Sequence, residues 1–292
     1  MRERRAATDE SGRTRDRSRP PAPEPLPAPV TDTHCHLDIA DGEDDAFGPA
    51  EALSAAGAAG VSRIVQVGCD LPGAQWAVDV AQRYPEIVAT VALHPNEAPK
   101  LDAAGELDTA LGEIDRLAGS SDRVRGVGET GLDHFRTGPE GRRAQEESFR
   151  AHIEIARRRN LALVIHDRDA HDDVLRVLDD ADVPECVVFH CFSGDAAMAR
   201  HCAERGWFLS FAGTVTFKNA AELRSALASV PLSNVLVETD APFLTPHPYR
   251  GRPNASYLVP VTVRVMAEVT GADVETLCRT LQANTERAFG PW

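Results

Sequence analysis

Four histidines, a glutamate and an aspartate occur along this sequence in settings that suit metal chemistry. His34 and His36 stand in Val30-Thr-Asp-Thr-His-Cys-His-Leu-Asp38, a stretch too short for a helix and preceded by a proline-rich segment. It reads as a strand running into a loop, and alternation along a strand points both imidazoles one way and Cys35 the other. On its own a His-x-His is more often a pair of polar loop residues than a metal site. Here further ligand types follow: Glu129 in Gly126-Val-Gly-Glu-Thr-Gly-Leu-Asp133, His166 in His166-Asp-Arg168, His190 in His190-Cys-Phe-Ser-Gly194 and Asp240 in Glu238-Thr-Asp-Ala-Pro242. Six ligands exceed what one catalytic ion with an open position takes. They suit two ions about 3.5–4 Å apart that share a carboxylate. Glu129 is the expected bridge, because its flanking glycines permit close backbone approach. One ion would then take His34, His36 and Asp240, and the other His166 and His190. Mg2+, Mn2+ and Zn2+ all fit such a donor set.

Elements must bring these residues together. Apolar, β-rich runs at 30–33, 63–67, 88–93, 125–128, 161–165, 186–189, 207–211 and 235–238 predict eight strands. Amphipathic patterns at 48–59, 73–83, 106–118, 140–160, 170–180, 195–205, 219–230, 256–270 and 273–289 predict helices between and after them. That alternation predicts a single (β/α)8 barrel over residues 30–292, with an open doubly wound sheet as the runner-up. In a barrel, working side chains gather just after the strands. His34, His36, His94, Glu129, His166, His190 and Asp240 all keep that phase. A carbamylated lysine is an alternative bridge on such barrels, but Lys100 and Lys218 are the only lysines and neither ends a strand.

The bulk properties narrow the classes. A chain of 292 residues with 42% hydrophobic content can bury one large core, and its formal charge of −14 argues against a general nucleic-acid coat. Six scattered cysteines without a C-x-x-C read as reduced thiols, and no apolar run reaches membrane-spanning length or forms a leading signal segment. A cytoplasmic monomer with no membrane partner is expected. Residues 1–29 mix seven arginines with acids and then alternate proline with small residues, which predicts a disordered, functionally inert tail.

The motifs together resemble the TatD family of metal-dependent deoxyribonucleases, within the amidohydrolase-like barrels. The matching segments are Thr33-His-Cys-His-Leu-Asp38, Val127-Gly-Glu-Thr-Gly-Leu-Asp133, Ile165-His-Asp-Arg-Asp-Ala170, His190-Cys-Phe-Ser-Gly-Asp195, Gly213-Thr-Val-Thr-Phe-Lys-Asn-Ala220 and Val237-Glu-Thr-Asp-Ala-Pro-Phe-Leu-Thr-Pro246. The resemblance implies a divalent-metal-dependent phosphodiesterase acting on DNA, typically as an exonuclease on single strands or ends, with those six residues as ligands. It also implies a role for His94 near the scissile phosphate. Two departures stand out: Asn96 replaces a second histidine in the loop after the third strand, and Ala255-Ser256 follows Pro253-Asn254 where the family usually has Glu-Pro. Asp240 is the expected acceptor of the attacking water's proton, with a purely ligating role equally compatible. Arg168 is expected to clamp phosphate, with pairing to Asp167 or Asp169 as its structural alternative. Lys218 and Asn219 are expected to meet the DNA backbone, or to cap the following helix. Glu238 and Asp133 are read as partners of ligands rather than ligands, and His134, His152, His171, His201 and His247 as surface or helix residues. A small-molecule amide, ester or lactone hydrolase on the same binuclear site is the alternative function.

Overall fold

The computed structural model describes residues 2–8, 12–43 and 47–291. The chain is a (β/α)8 barrel: its eight longer strands belong to one sheet, ordered as they occur along the chain, with helices in the intervals. The elements are β1 (Glu3–Arg4), β2 (Val30–Cys35), β3 (Ile39–Ala40), α1 (Pro49–Ala58), β4 (Val61–Gly68), α2 (Leu71–Arg83), β5 (Ile87–Val91), α3 (Ala98–Ala104), α4 (Leu107–Ala118), β6 (Val124–Asp133), α5 (Pro139–Arg159), β7 (Ala162–Arg168), α6 (His171–Asp179), β8 (Val187–Phe189), α7 (Ala196–Glu204), β9 (Phe208–Phe211), α8 (Ala221–Ala228), β10 (Val235–Val237), α9 (Val259–Thr270) and α10 (Val274–Phe289).

Local sequence explains most of these. β5 is buried along its whole length, as strands covered on both faces are. α4 buries Leu107, Ala110, Ile114, Leu117 and Ala118, a stripe at helical spacing. Asp70 starts α2 by accepting the Gly73 N–H, and Asp195 starts α7 by accepting those of Ala197 and Met198. From the sequence no helix is expected over 98–104, and Pro99-Lys-Leu-Asp102 reads as a loop segment around Lys100. Proline is tolerated in a first turn, where its missing N–H would have no helical partner, so Lys100 lies on a helix rather than in a loop.

The chain forms two compact units. In the unit of residues 66–193 and 287–292, β5, β6, β7 and β8 pair in parallel. β6 runs five residues beyond its expected end at Gly128, pairing Gly131 with His166 and Asp133 with Arg168. The glycine-rich stretch reads as a loop, yet here it is strand.

In the unit of residues 1–65 and 194–286, β9 and β10 pair in parallel, and the first and last barrel strands meet. Cys35 bridges Ala241, the Asp240 N–H donates to the His34 carbonyl at 2.9 Å, and the His36 N–H donates to the Ala241 carbonyl at 2.7 Å. Thr33 Oγ1 donates to the Val237 carbonyl at 3.0 Å.

Contacts of the leading segment fall within this same unit. β1 pairs with β3, Leu26 and Ala28 are buried, and Tyr257 donates to the Pro20 carbonyl at 2.6 Å. Arg2 meets Asp38 at 3.1 Å, and Arg15 spans both oxygens of Asp41 at 3.1 and 2.5 Å. Asp38 lies just before β3 and Asp41 just after it. Residues 1 and 9–11 of the segment, and Trp292 at the other end, lie outside the described residues. No described helix is long and apolar enough to cross a membrane, and the six cysteines are free thiols.

Candidate metal-binding clusters

Three expected ligands come together in the unit of residues 1–65 and 194–286, hereafter the first unit, the other being the second. His34 and His36 leave the end of β2 with ring centroids 5.1 Å apart, and their Nε2 atoms lie 3.8 and 3.3 Å from Asp240 Oδ1. Asp240 adopts a left-handed backbone (φ 54°), which aspartate tolerates better than most residues. Its N–H to His34 and its carbonyl, which accepts from Phe243, hold that turn. Asp32 locks the arrangement from below. It is wholly buried and accepts from the Thr239 N–H (2.9 Å) and hydroxyl (2.6 Å), tying β2 to the segment that carries Asp240. Burial pushes its carboxyl up to about 6, against those hydrogen bonds. Cys35 is wholly buried, and burial pushes its thiol well up.

The second unit gathers the rest around one atom. Glu129 Oε2 lies 2.8 Å from His190 Nε2, 3.2 Å from His166 Nδ1 and 3.9 Å from His94 Nε2. His166 Nδ1 and His190 Nε2 are 3.3 Å apart. Cys69 Sγ donates to the other glutamate oxygen at 3.1 Å. The glycines beside Glu129 are required by close packing: a Cβ on Gly128 would stand 2.4 Å from Val164 Cβ, and one on Gly131 2.1 Å from the His166 carbonyl oxygen. His166 turns its Nε2 to Asp133 Oδ2 at 3.4 Å, so one ring nitrogen faces the cluster and the other a supporting carboxylate. Burial would lower His166, but Asp133 and Glu129 together raise it. Asp133 is held below the usual carboxylate range, despite burial, by His166, the Arg136 N–H and Asn96. Burial, then the His166 charge, lowers His94 to about 3.

Both clusters fit a divalent cation. Donors about 2.1 Å from one ion stand roughly 3–3.5 Å apart in octahedral or tetrahedral shells. The imidazole–carboxylate separations here bracket that spacing, and nitrogen lone pairs crowded on a carboxylate oxygen need a positive charge among them.

The remaining expected residues are placed as follows. Arg168 ends β7 and lays its guanidinium over the Phe135 ring at 3.8 Å, instead of pairing with Asp167 or Asp169; Asp167 takes His171 Nδ1 at 2.7 Å. Lys218 and Asn219 are exposed in a turn of the first unit, and neither is the N-cap of α8, which is Ala220. Glu238 is wholly buried. His152 is a helix residue, wholly buried on α5, where it accepts the Leu93 N–H at Nε2 and faces the Ser148 carbonyl at Nδ1. The sequence reading missed Asp32, Cys69 and Phe135. Alternation along β2 could have flagged Asp32, which shares a face with His34 and His36; Cys69 and Phe135 gave no such signal.

The chain is similar to known proteins. Residues 31–290 match the family described as TatD related DNase. A Mycobacterium tuberculosis protein named uncharacterized metal-dependent hydrolase TatD is 43% identical over 88% of this chain and 96% of its own length. The 3'-5' ssDNA/RNA exonuclease TatD of Citrobacter rodentium is 32% identical over 82% of this chain and 91% of its own. The crystal structure of the Escherichia coli TatD homolog YjjV superposes with a TM-score of 0.81 at 26% identity, covering 90% of this chain and 98% of that one. The chain belongs to the TatD family of metal-dependent hydrolases.

Proposed function

We propose that the protein is a nuclease that hydrolyses DNA phosphodiester bonds, working from the ends of single strands. His34, His36 and Asp240 would hold one divalent ion and His166 and His190 a second, with Glu129 as the ligand they would share. The observation that carries this reading is the convergence of imidazole nitrogens on one carboxylate oxygen in each cluster. The exonuclease activity in the name of the Citrobacter relative supports the choice of substrate. Divalent ions, when bound, supply Lewis-acid stabilisation of a phosphate oxygen and a more acidic water at neutral pH.

The chain's own residues do the rest. Asp240, at the edge of its cluster and 15% exposed, accepts or orients the proton of the attacking water. His94 stands beside Glu129 without belonging to the six-ligand set and presents Nε2 toward the cluster, where it meets a phosphate oxygen or the leaving group. Arg168, Lys218 and Asn219 contact the strand's backbone.

The test is a chelator-sensitive assay on end-labelled single-stranded DNA, run beside ester, amide and lactone substrates. Stepwise shortening of the labelled strand, stopped by chelator and restored by Mn2+ or Mg2+, is expected. Turnover of a small-molecule ester, amide or lactone with intact DNA would contradict the nuclease reading and favour the other hydrolase class.

A further inference from the structure

Phe135 is a large apolar side chain left in water, 58% exposed, and no other large apolar residue among those described is classed with it. It stands two residues beyond Asp133, the carboxylate that faces His166, in a turn that is firmly pinned. The His134 N–H donates to the Arg168 carbonyl at 2.9 Å, the Arg136 N–H to Asp133 Oδ1 at 2.8 Å, and the Thr137 N–H to the Asp133 carbonyl at 3.2 Å. Arg168, paired with Asp133 across β6 and β7, covers one face of the ring. Among the described residues no carboxylate pairs with its guanidinium. A rigid aromatic ring in solvent, backed by an uncommitted planar cation and rooted two residues from a ligand's partner, has the make-up of a surface that binds unpaired bases.

We propose that Phe135, backed by Arg168, is the platform on which a nucleobase of a single-stranded substrate stacks. This rests on the nuclease reading above. Every base has a π face, so the platform tolerates any sequence, while a paired base must first leave its stack; the surface therefore selects single strands without selecting bases. The guanidinium, seated over the other face of the ring at 3.8 Å, offers its N–H groups to the adjoining phosphate.

The test compares wild type, Phe135→Ala and Phe135→Trp on an end-labelled single-stranded oligonucleotide, and on the same strand with abasic tetrahydrofuran units near the digested end. Phe135→Ala is expected to raise KM for the normal strand about 5- to 30-fold, with a smaller change in kcat, and Phe135→Trp to restore it. On the abasic strand wild type is expected to lose the same advantage, so that removing the ring as well adds little. An unchanged KM in Phe135→Ala, or an equal loss on both strands, would overturn the platform. If wild type digests neither strand, the nuclease reading fails and the platform falls with it; if wild type digests the normal strand and Phe135→Ala matches it, the platform alone fails.

Discussion

The Asn96 N–H donates to His94 Nδ1 at 3.1 Å, which places the proton of the neutral His94 ring on Nε2, the nitrogen directed at Glu129. A ring in that tautomer donates a hydrogen bond and offers no lone pair to an ion. The Asn96 side chain is itself committed, donating to Asp133 at 3.0 Å and accepting from Thr137 at 3.1 Å. The residue that replaces a second histidine here thus joins the His94 loop to the carboxylate behind His166. His94→Gln is expected to lower kcat about 100-fold while leaving bound metal, read by elemental analysis, at the wild-type level. Loss of metal in that variant would make His94 a ligand.

Gly131 sits at φ 135° with the His166 carbonyl where a methyl group would go. Gly131→Ala has to push β7 away from β6 or strain the backbone, and β7 carries His166. A loss of more than about 2 kcal/mol in denaturant unfolding is expected, together with weaker metal binding. An unchanged midpoint would show that the strands can part there at little cost.

The buried imidazole of His152 gives stability a pH dependence of definite sign. Burial holds its pKa down to about 4 in the folded protein, whereas the unfolded chain takes up that proton near 6.5. Protonation therefore favours unfolding. The contribution is complete above about pH 6.5 and falls away as pH drops toward 4, by on the order of 3 kcal/mol in all. Unfolding free energies measured from pH 7 to 4 should decline less steeply in His152→Gln than in wild type. Parallel curves would contradict this assignment.

Asp41 has a side chain only 1% exposed and is held by Arg15 and, at 3.3 Å, by Arg5. Breaking a buried ion pair from one side typically costs about 3–5 kcal/mol. Here the ceiling is lower, because the leading segment can detach and return its arginines to water. Asp41→Ala is expected to show faster proteolysis within the first 20 residues, with a small change in Tm. Cleavage no faster than in wild type would mean that the arginines do not hold the segment.

What the sequence made legible follows from the range of the interactions involved. The eight strands and the spacing of His34, His36, Glu129, His166, His190 and Asp240 were readable because runs and phase are local properties. The extended β6 was not, because Gly131 becomes strand only through its pairing with His166. His152 looks like any helix histidine in the sequence, because Leu93, whose N–H it accepts, comes from a distant part of the chain. Phe135 gave no signal either, since the exposure of one aromatic residue is set wholly by its surroundings.

Metal stoichiometry tests most directly whether the two clusters hold two divalent ions. Chelator-stripped protein titrated with Mn2+ and followed by calorimetry is expected to take up two ions per chain. His36→Ala and His190→Ala should each retain one, and Glu129→Gln should weaken both while the circular dichroism of the fold is kept. Fewer than two ions in wild type, or wild-type uptake by His36→Ala and His190→Ala alike, would contradict the account.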